Sequence, residues 1–136
     1  MLGTALCSLV IAGSLWLRAE REVGRRRLYG GLTEFVDREV DRAEVIGYLL
    51  SHRSYLLQGA QIGRPVIYLE DTTGTLSEWV ASLRHEGVAV VAIGPLRPWW
   101  RGRPEVSWLV APGTPFVRVF GRDPLVETVV YRLSAG

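Results

Sequence analysis

Residues 2–17 read LGTALCSLVIAGSLWL, sixteen residues without a charge. No other feature limits the chain's options as much. As a helix the run rises roughly 24 Å, slightly less than the ~30 Å hydrocarbon core of a bilayer. Trp16 and snorkelling arginines close that gap. No positive stretch precedes the run and no A-x-A site follows it, so it reads as a retained transmembrane anchor rather than a cleaved signal. Thr4, Ser8 and Ala12, spaced four apart, give it a small-residue stripe for helix packing in lipid. Arg18, Arg21, Arg25, Arg26 and Arg27 follow, with only Glu20 and Glu22 against them. By the positive-inside rule the soluble part then faces the cytoplasm of a bacterial inner membrane, with the opposite side as the alternative.

The composition of the chain is that of a folded protein. Hydrophobic residues make up 48% of the chain and charged residues 22%, too apolar for intrinsic disorder. The net charge of +2 is too weak for a dedicated nucleic-acid binder, so no nucleic-acid partner is expected. All sixteen basic residues are arginine, which removes lysine Schiff bases and P-loop chemistry. The only cysteine is Cys7, inside the apolar run. No intramolecular disulfide and no cysteine metal site can form. His52 and His85 lack metal-ligand spacing, so no metal is expected, and no cofactor.

The organisation expected is an anchor over 1–18, a basic juxtamembrane segment with an amphipathic helix over 19–61, and an α/β domain over 62–136. Gly30-Gly31 breaks the chain. Thr33 is placed to cap a helix over 33–57 whose stripe is Val36, Val40, Ala43, Gly47 and Leu50. Residues 65–69 (PVIYL) and 88–93 (VAVVAI) read as buried strands flanking a helix over 76–86 that Gly87 ends, a parallel βαβ unit. A Pro-, Arg- and Trp-rich loop spans 94–105. Strands are expected at 106–110, 115–120 and 125–133, the last two joined by Gly121-Arg122-Asp123-Pro124.

Three stretches resemble the membrane-anchored thioredoxin-like proteins of cytochrome maturation and methylamine utilisation. Ile62-Gly63-Arg64-Pro65-Val66-Ile67 is similar to that family's lead-in to its first core strand. Residues 83–93 (LRHEGVAVVAI) resemble its helix end and second strand. Gly113-Thr114-Pro115-Phe116 resembles its turn before the antiparallel hairpin. The resemblance implies a mixed sheet, a cis Thr114–Pro115 bond, and a vestigial active-site face made by Thr72, Thr73, Thr75, Thr114 and Pro115. The family's C-x-x-C would fall near residues 71–76, where no cysteine stands. Threonine supplies no thiolate, so the implied redox activity does not transfer. The resemblance also implies a truncated version, since the closing helix and the longer crossover helix are not legible here.

No nucleophile motif, metal motif or phosphate loop occurs. Glu70 and Asp71 adjoin at a strand end, but alternation points them apart, which favours a capping and turn role over acid–base catalysis. Nothing in the sequence argues for an enzyme, and one acting through the Glu70–Thr75 loop ranks last among the readings. The most unusual segment is Arg97-Pro98-Trp99-Trp100-Arg101-Gly102-Arg103. Tryptophan with arginine suits a bilayer interface or a protein hot spot, so Arg97, Trp99, Trp100, Arg101 and Arg103 are the candidate docking residues for lipid headgroups or integral-membrane subunits. The function expected is a non-catalytic accessory subunit of an integral-membrane complex, with a membrane-anchored maturation or chaperone-like factor as the alternative.

Overall fold

A computed structural model describes residues 31–51 and 53–135, which belong to one compact unit beginning at Gly31. The apolar run, with Thr4, Ser8 and Ala12, lies outside the described residues, as do Arg18–Arg27 and His52. Among the described residues no helix is long and apolar enough to cross a membrane.

Helix α1 (Leu32–Glu39) buries Leu32, Phe35 and Val36 and starts at Gly31, whose φ of +75° suits glycine. Thr33 is not its cap; its hydroxyl donates to the Leu56 carbonyl at 3.4 Å. The helix stops where side chains bid for the backbone. Asp41 Oδ1 accepts from Ala43 N at 2.8 Å, and Glu44 Oε2 accepts from Asp41 N at 2.9 Å. Arg64 closes the end, donating to the carbonyl of Val40 at 2.9 Å and to that of Val36 at 3.3 Å, which also accepts from Val40 N at 3.3 Å.

Strand β1 (Val45–Leu49) and a 3-10 turn (Ser54–Gln58) follow. The helix expected over 33–57 is thus three elements. The β-branched and aromatic run Val-Ile-Gly-Tyr-Leu goes to the sheet, where β1 lies between two parallel neighbours. Hence the folded unit starts near residue 31 rather than 62.

Strand β2 (Val66–Tyr68), helix α2 (Leu76–His85) and strand β3 (Val88–Ile93) come next, as the sequence predicts. Thr75 and Glu78 form a capping box at the start of α2, and Gly87, at φ +71°, lets the chain turn out of it. A second 3-10 turn (Pro98–Trp100) leads to helix α3 (Pro104–Val110). The strand expected at 106–110 is therefore a helix. A short apolar run does not declare its period, and Pro104 at the first turn fixes the helical φ. Strands β4 (Phe116–Phe120) and β5 (Val129–Leu133) end the fold.

The sheet is mixed, in the order β2-β1-β3-β5-β4. β2, β1 and β3 are parallel, with Tyr48 opposite Tyr68 and Leu49 opposite Ile93. β5 is antiparallel to β3 and β4, with Ile93 opposite Val129 and Phe116 opposite Leu133. α1 and the first 3-10 turn cover one face, on Ile46, Val90, Ala92 and Val130. α2 and α3 cover the other, on Leu49, Val91, Ile93, Val129 and Tyr131. β3 is accordingly sealed on both sides, as its unbroken apolar run predicts. The PVIYL stretch forms the three-residue edge strand β2 rather than a central one. Gly94–Pro95 is cis, and Thr114–Pro115, expected to be cis, is trans.

Candidate functional site

The chain leaves the carboxyl end of β1 toward the α1 face and that of β2 toward the opposite face. Open α/β sheets commonly bind ligands at strand ends where successive connections diverge in this way. The end of β1 is strained there: Leu50 holds φ at +50°, a region costly for a side chain with a Cβ. Its carbonyl accepts from Gly94 N at 3.3 Å, joining the ends of β1 and β3.

Past β2, residues 70–74 and the exposed flank of α2 form an open groove of about 480 Å³, lined by Tyr68, Glu70, Asp71, Glu78, Ser82 and Glu86 among others. Both Glu70 and Asp71 line it, although alternation predicts opposite directions. Its carboxylates are largely engaged. Asp71 Oδ2 meets Arg103 Nη1 at 2.6 Å, Glu86 Oε1 accepts from the Ser82 hydroxyl at 3.4 Å, and Glu78 serves the capping box. The backbone N–H and hydroxyl of Thr75 hold the Glu78 carboxyl below its ordinary value. The groove thus offers mainly negative charge, with the hydroxyls of Ser82 and Thr75 held on the carboxylates of Glu86 and Glu78. Among the described residues no group of three or more His, Cys, Asp or Glu side chains could hold a metal ion.

Behind the groove sits a clamp that sequence reasoning missed. Glu105, at the start of α3, is fully buried. Its Oε1 accepts from Arg103 Nη2 at 3.1 Å and from Thr72 N at 3.0 Å, and its Oε2 accepts from Arg103 Nε at 3.3 Å. Burial pushes the Glu105 carboxyl up, but the Arg103 guanidinium and the Thr72 N–H outweigh it, leaving the group below its ordinary value. Arg103 is held further above its already high value by Glu105 and Asp71. Arg103, predicted as a docking residue, is therefore a structural tie. The only available signal was the charge alternation Arg103-Pro104-Glu105, which is common on solvated surfaces.

The tryptophan pair divides. Trp100 is half-buried and packs against the core, whereas Trp99 is 68% exposed. Their rings meet edge-on at 6.4 Å. The Arg97 guanidinium lies 5.4 Å from one ring centre and 5.5 Å from the other, within cation–π range. Arg97 and Arg101 are exposed. The loop is held inward by Leu96, which is buried and donates its N–H to the Pro124 carbonyl at 2.7 Å.

The threonine face is not assembled. Thr72 and Thr73 follow the end of β2, and Thr75 caps α2. Thr114 and Pro115 precede Phe116, which pairs with Leu133 at the end of the sheet where β3 begins. The two halves of that face thus lie at opposite ends of the strands. The Thr114 hydroxyl instead donates to the Ala111 carbonyl at 3.1 Å. His85, at the end of α2, is exposed.

Comparison with family models, with curated proteins and with solved structures finds no match for this chain.

Proposed function

We propose that the chain is a non-catalytic accessory subunit of an integral-membrane assembly, tethered by residues 2–17 and docking through the Arg97–Arg101 loop. One observation carries the reading: Trp99 stands 68% exposed beside a half-buried tryptophan that packs against the core. Leaving an indole in water forgoes roughly 1.5–3 kcal/mol of burial, so the position is one that contact would stabilise. The five arginines at 18–27 favour the cytoplasmic side. The thioredoxin-like assignment draws support from the β2-α2-β3 order and the following hairpin. The trans Thr114–Pro115 bond and the edge position of β2 weigh against it, and the docking reading does not depend on it. The alternative, a maturation or chaperone-like factor, draws on the acidic groove, which suits a basic client segment.

Deuterium exchange of the full chain in native membranes and in detergent tests the docking reading. Backbone amides within 96–103 should gain protection in membranes, and Trp99→Ala should remove that gain. Equal exchange in both settings would refute docking through this loop.

A further inference from the structure

Residues 94–102 read GPLRPWWRG, with no acidic side chain and no side-chain hydrogen-bond acceptor; its only side-chain donors are the guanidiniums of Arg97 and Arg101 and the two indole N–H groups. Such a donor-only stretch is complementary to a surface made of acceptors, as lipid phosphates are, whereas a protein partner presents donors and acceptors together. Arg97 is stacked on both indoles. Among the described residues no ion pair joins Arg97 or Arg101 to a carboxylate, whereas Arg103 is occupied by Asp71 and Glu105.

The tip is preorganised. Trp100 N donates to the Arg97 carbonyl at 2.9 Å, Arg101 N to Pro98 at 3.4 Å and Arg103 N to Trp100 at 3.1 Å. Pro98 and Pro104 fix their own φ on either side. Ordering costs little at a contact built this way. The chain also carries the sixteen-residue apolar run and its arginines, which would keep the domain close to a bilayer.

We infer that the Arg97–Arg101 loop seats on the anionic surface of a lipid bilayer, with the Trp99 indole at headgroup level and the guanidiniums of Arg97 and Arg101 against lipid phosphates. This rests on the docking reading above and names the partner of that loop. Each arginine near an anionic surface contributes about fivefold to partitioning. The single indole supplies depth, and the cations supply the preference for negative headgroups.

Gly102 is a suitable reporter position, because a Cβ there meets nothing within 4 Å. The full chain with Cys7→Ser and Gly102→Cys, labelled with an environment-sensitive nitrobenzoxadiazole, is reconstituted with vesicles of phosphatidylcholine alone or mixed with phosphatidylglycerol. The label should brighten and shift to the blue only in the mixture. Arg97→Gln and Arg101→Gln should each weaken that insertion about fivefold. Trp99→Ala should abolish the blue shift, and about 1 M salt, where screening acts over roughly 3 Å, should collapse the response. An equal response in phosphatidylcholine alone would overturn the anionic recognition. No response in either vesicle, with a photoreactive group at position 102 giving a protein adduct in native membranes, would overturn the lipid partner and leave docking standing. Neither response nor adduct would overturn both.

Discussion

Removing the Arg103 side chain is the sharpest test of how the strand-end region is held. Glu105 is fully buried, and Arg103→Ala would leave it with one donor from another residue, Thr72 N at 3.0 Å. Breaking a buried pair from one side costs 3–5 kcal/mol in general. The Arg103 side chain is 26% exposed, so water can reach part of the vacated space, and about 3 kcal/mol is the figure to expect. For a unit of roughly one hundred residues that lowers Tm by about 12 °C or more. The dependence on pH has a definite sign. In the native protein Glu105 lies below its ordinary value of 4.5, so its stabilisation is present above that value and is lost as the pH falls through the lowered one. In the variant, burial is opposed only by the backbone N–H groups of Thr72 and Glu105, so the carboxyl rises from its native value, and the penalty is largest at neutral pH and shrinks in acid. Urea unfolding of the full chain in mild detergent, followed by tryptophan fluorescence, should show a deficit near 3 kcal/mol at pH 7 that narrows toward pH 4. Arg103→Met with Glu105→Leu should recover all but about 1 kcal/mol, the remainder reflecting the lost acceptor of Thr72 N. A single variant within about 0.5 kcal/mol of wild type, or a deficit independent of pH, would refute the clamp.

The two tryptophans should separate under substitution: Trp99→Ala should leave stability within about 0.5 kcal/mol, whereas Trp100→Ala should cost about 2 kcal/mol, below the 3–5 typical of a fully buried tryptophan; chemical denaturation of each distinguishes them. Gly47→Ala would bring a Cβ to 2.7 Å from the Leu69 side chain, and the overpacking should cost about 1–3 kcal/mol. Gly94→Ala should cost more, since its Cβ meets the Glu127 and Pro124 carbonyls at 2.6 and 2.8 Å with φ at +85°, and backbone cannot step aside as a side chain can. Thr75→Ala removes the side-chain half of the capping box, for a loss of about 1 kcal/mol and fraying of the first turn of α2 visible by amide exchange.

What the sequence disclosed follows the strength of its local signals. VAVVAI has one plausible home, a strand sealed on both faces, and β3 is that strand. The helix before it ends at a glycine that adopts φ +71°. β1 was hidden because Val36, Val40, Ala43, Gly47 and Leu50 keep helical spacing across a boundary drawn by the Asp41 and Glu44 side chains. Such local hydrogen bonds are decided in three dimensions by what the following residues can pair with. β1 becomes a strand because parallel partners lie on both sides of it. Arg64 reads in sequence as part of the lead-in to β2, while it closes α1 across more than twenty residues through contacts no linear pattern encodes. Glu105 shows the same limit: a carboxylate is presumed solvated until a guanidinium is placed over it.

The groove and the tryptophan loop are joined through Arg103, and one comparison separates their dependence on it. Arg103 reaches Asp71 on the groove wall and Glu105 at the start of α3, while its backbone N–H donates to the Trp100 carbonyl at 3.1 Å. Asp71 is 58% exposed, and a pair with that much water contributes less than about 1 kcal/mol. Asp71→Asn should therefore loosen the chain at residues 70–71, short of Thr72 that Glu105 still holds, with little change in overall stability. Because Glu105 still holds Arg103 from below, amide exchange in 96–103 should stay at the wild-type rate. Arg103→Ala should instead speed exchange in both segments, since Thr72 and the start of α3 share the buried carboxylate it removes from balance. If Asp71→Asn loosened the loop as much as Arg103→Ala, the coupling would run along the exposed arm of the clamp and the buried carboxylate would not be what holds the loop in place.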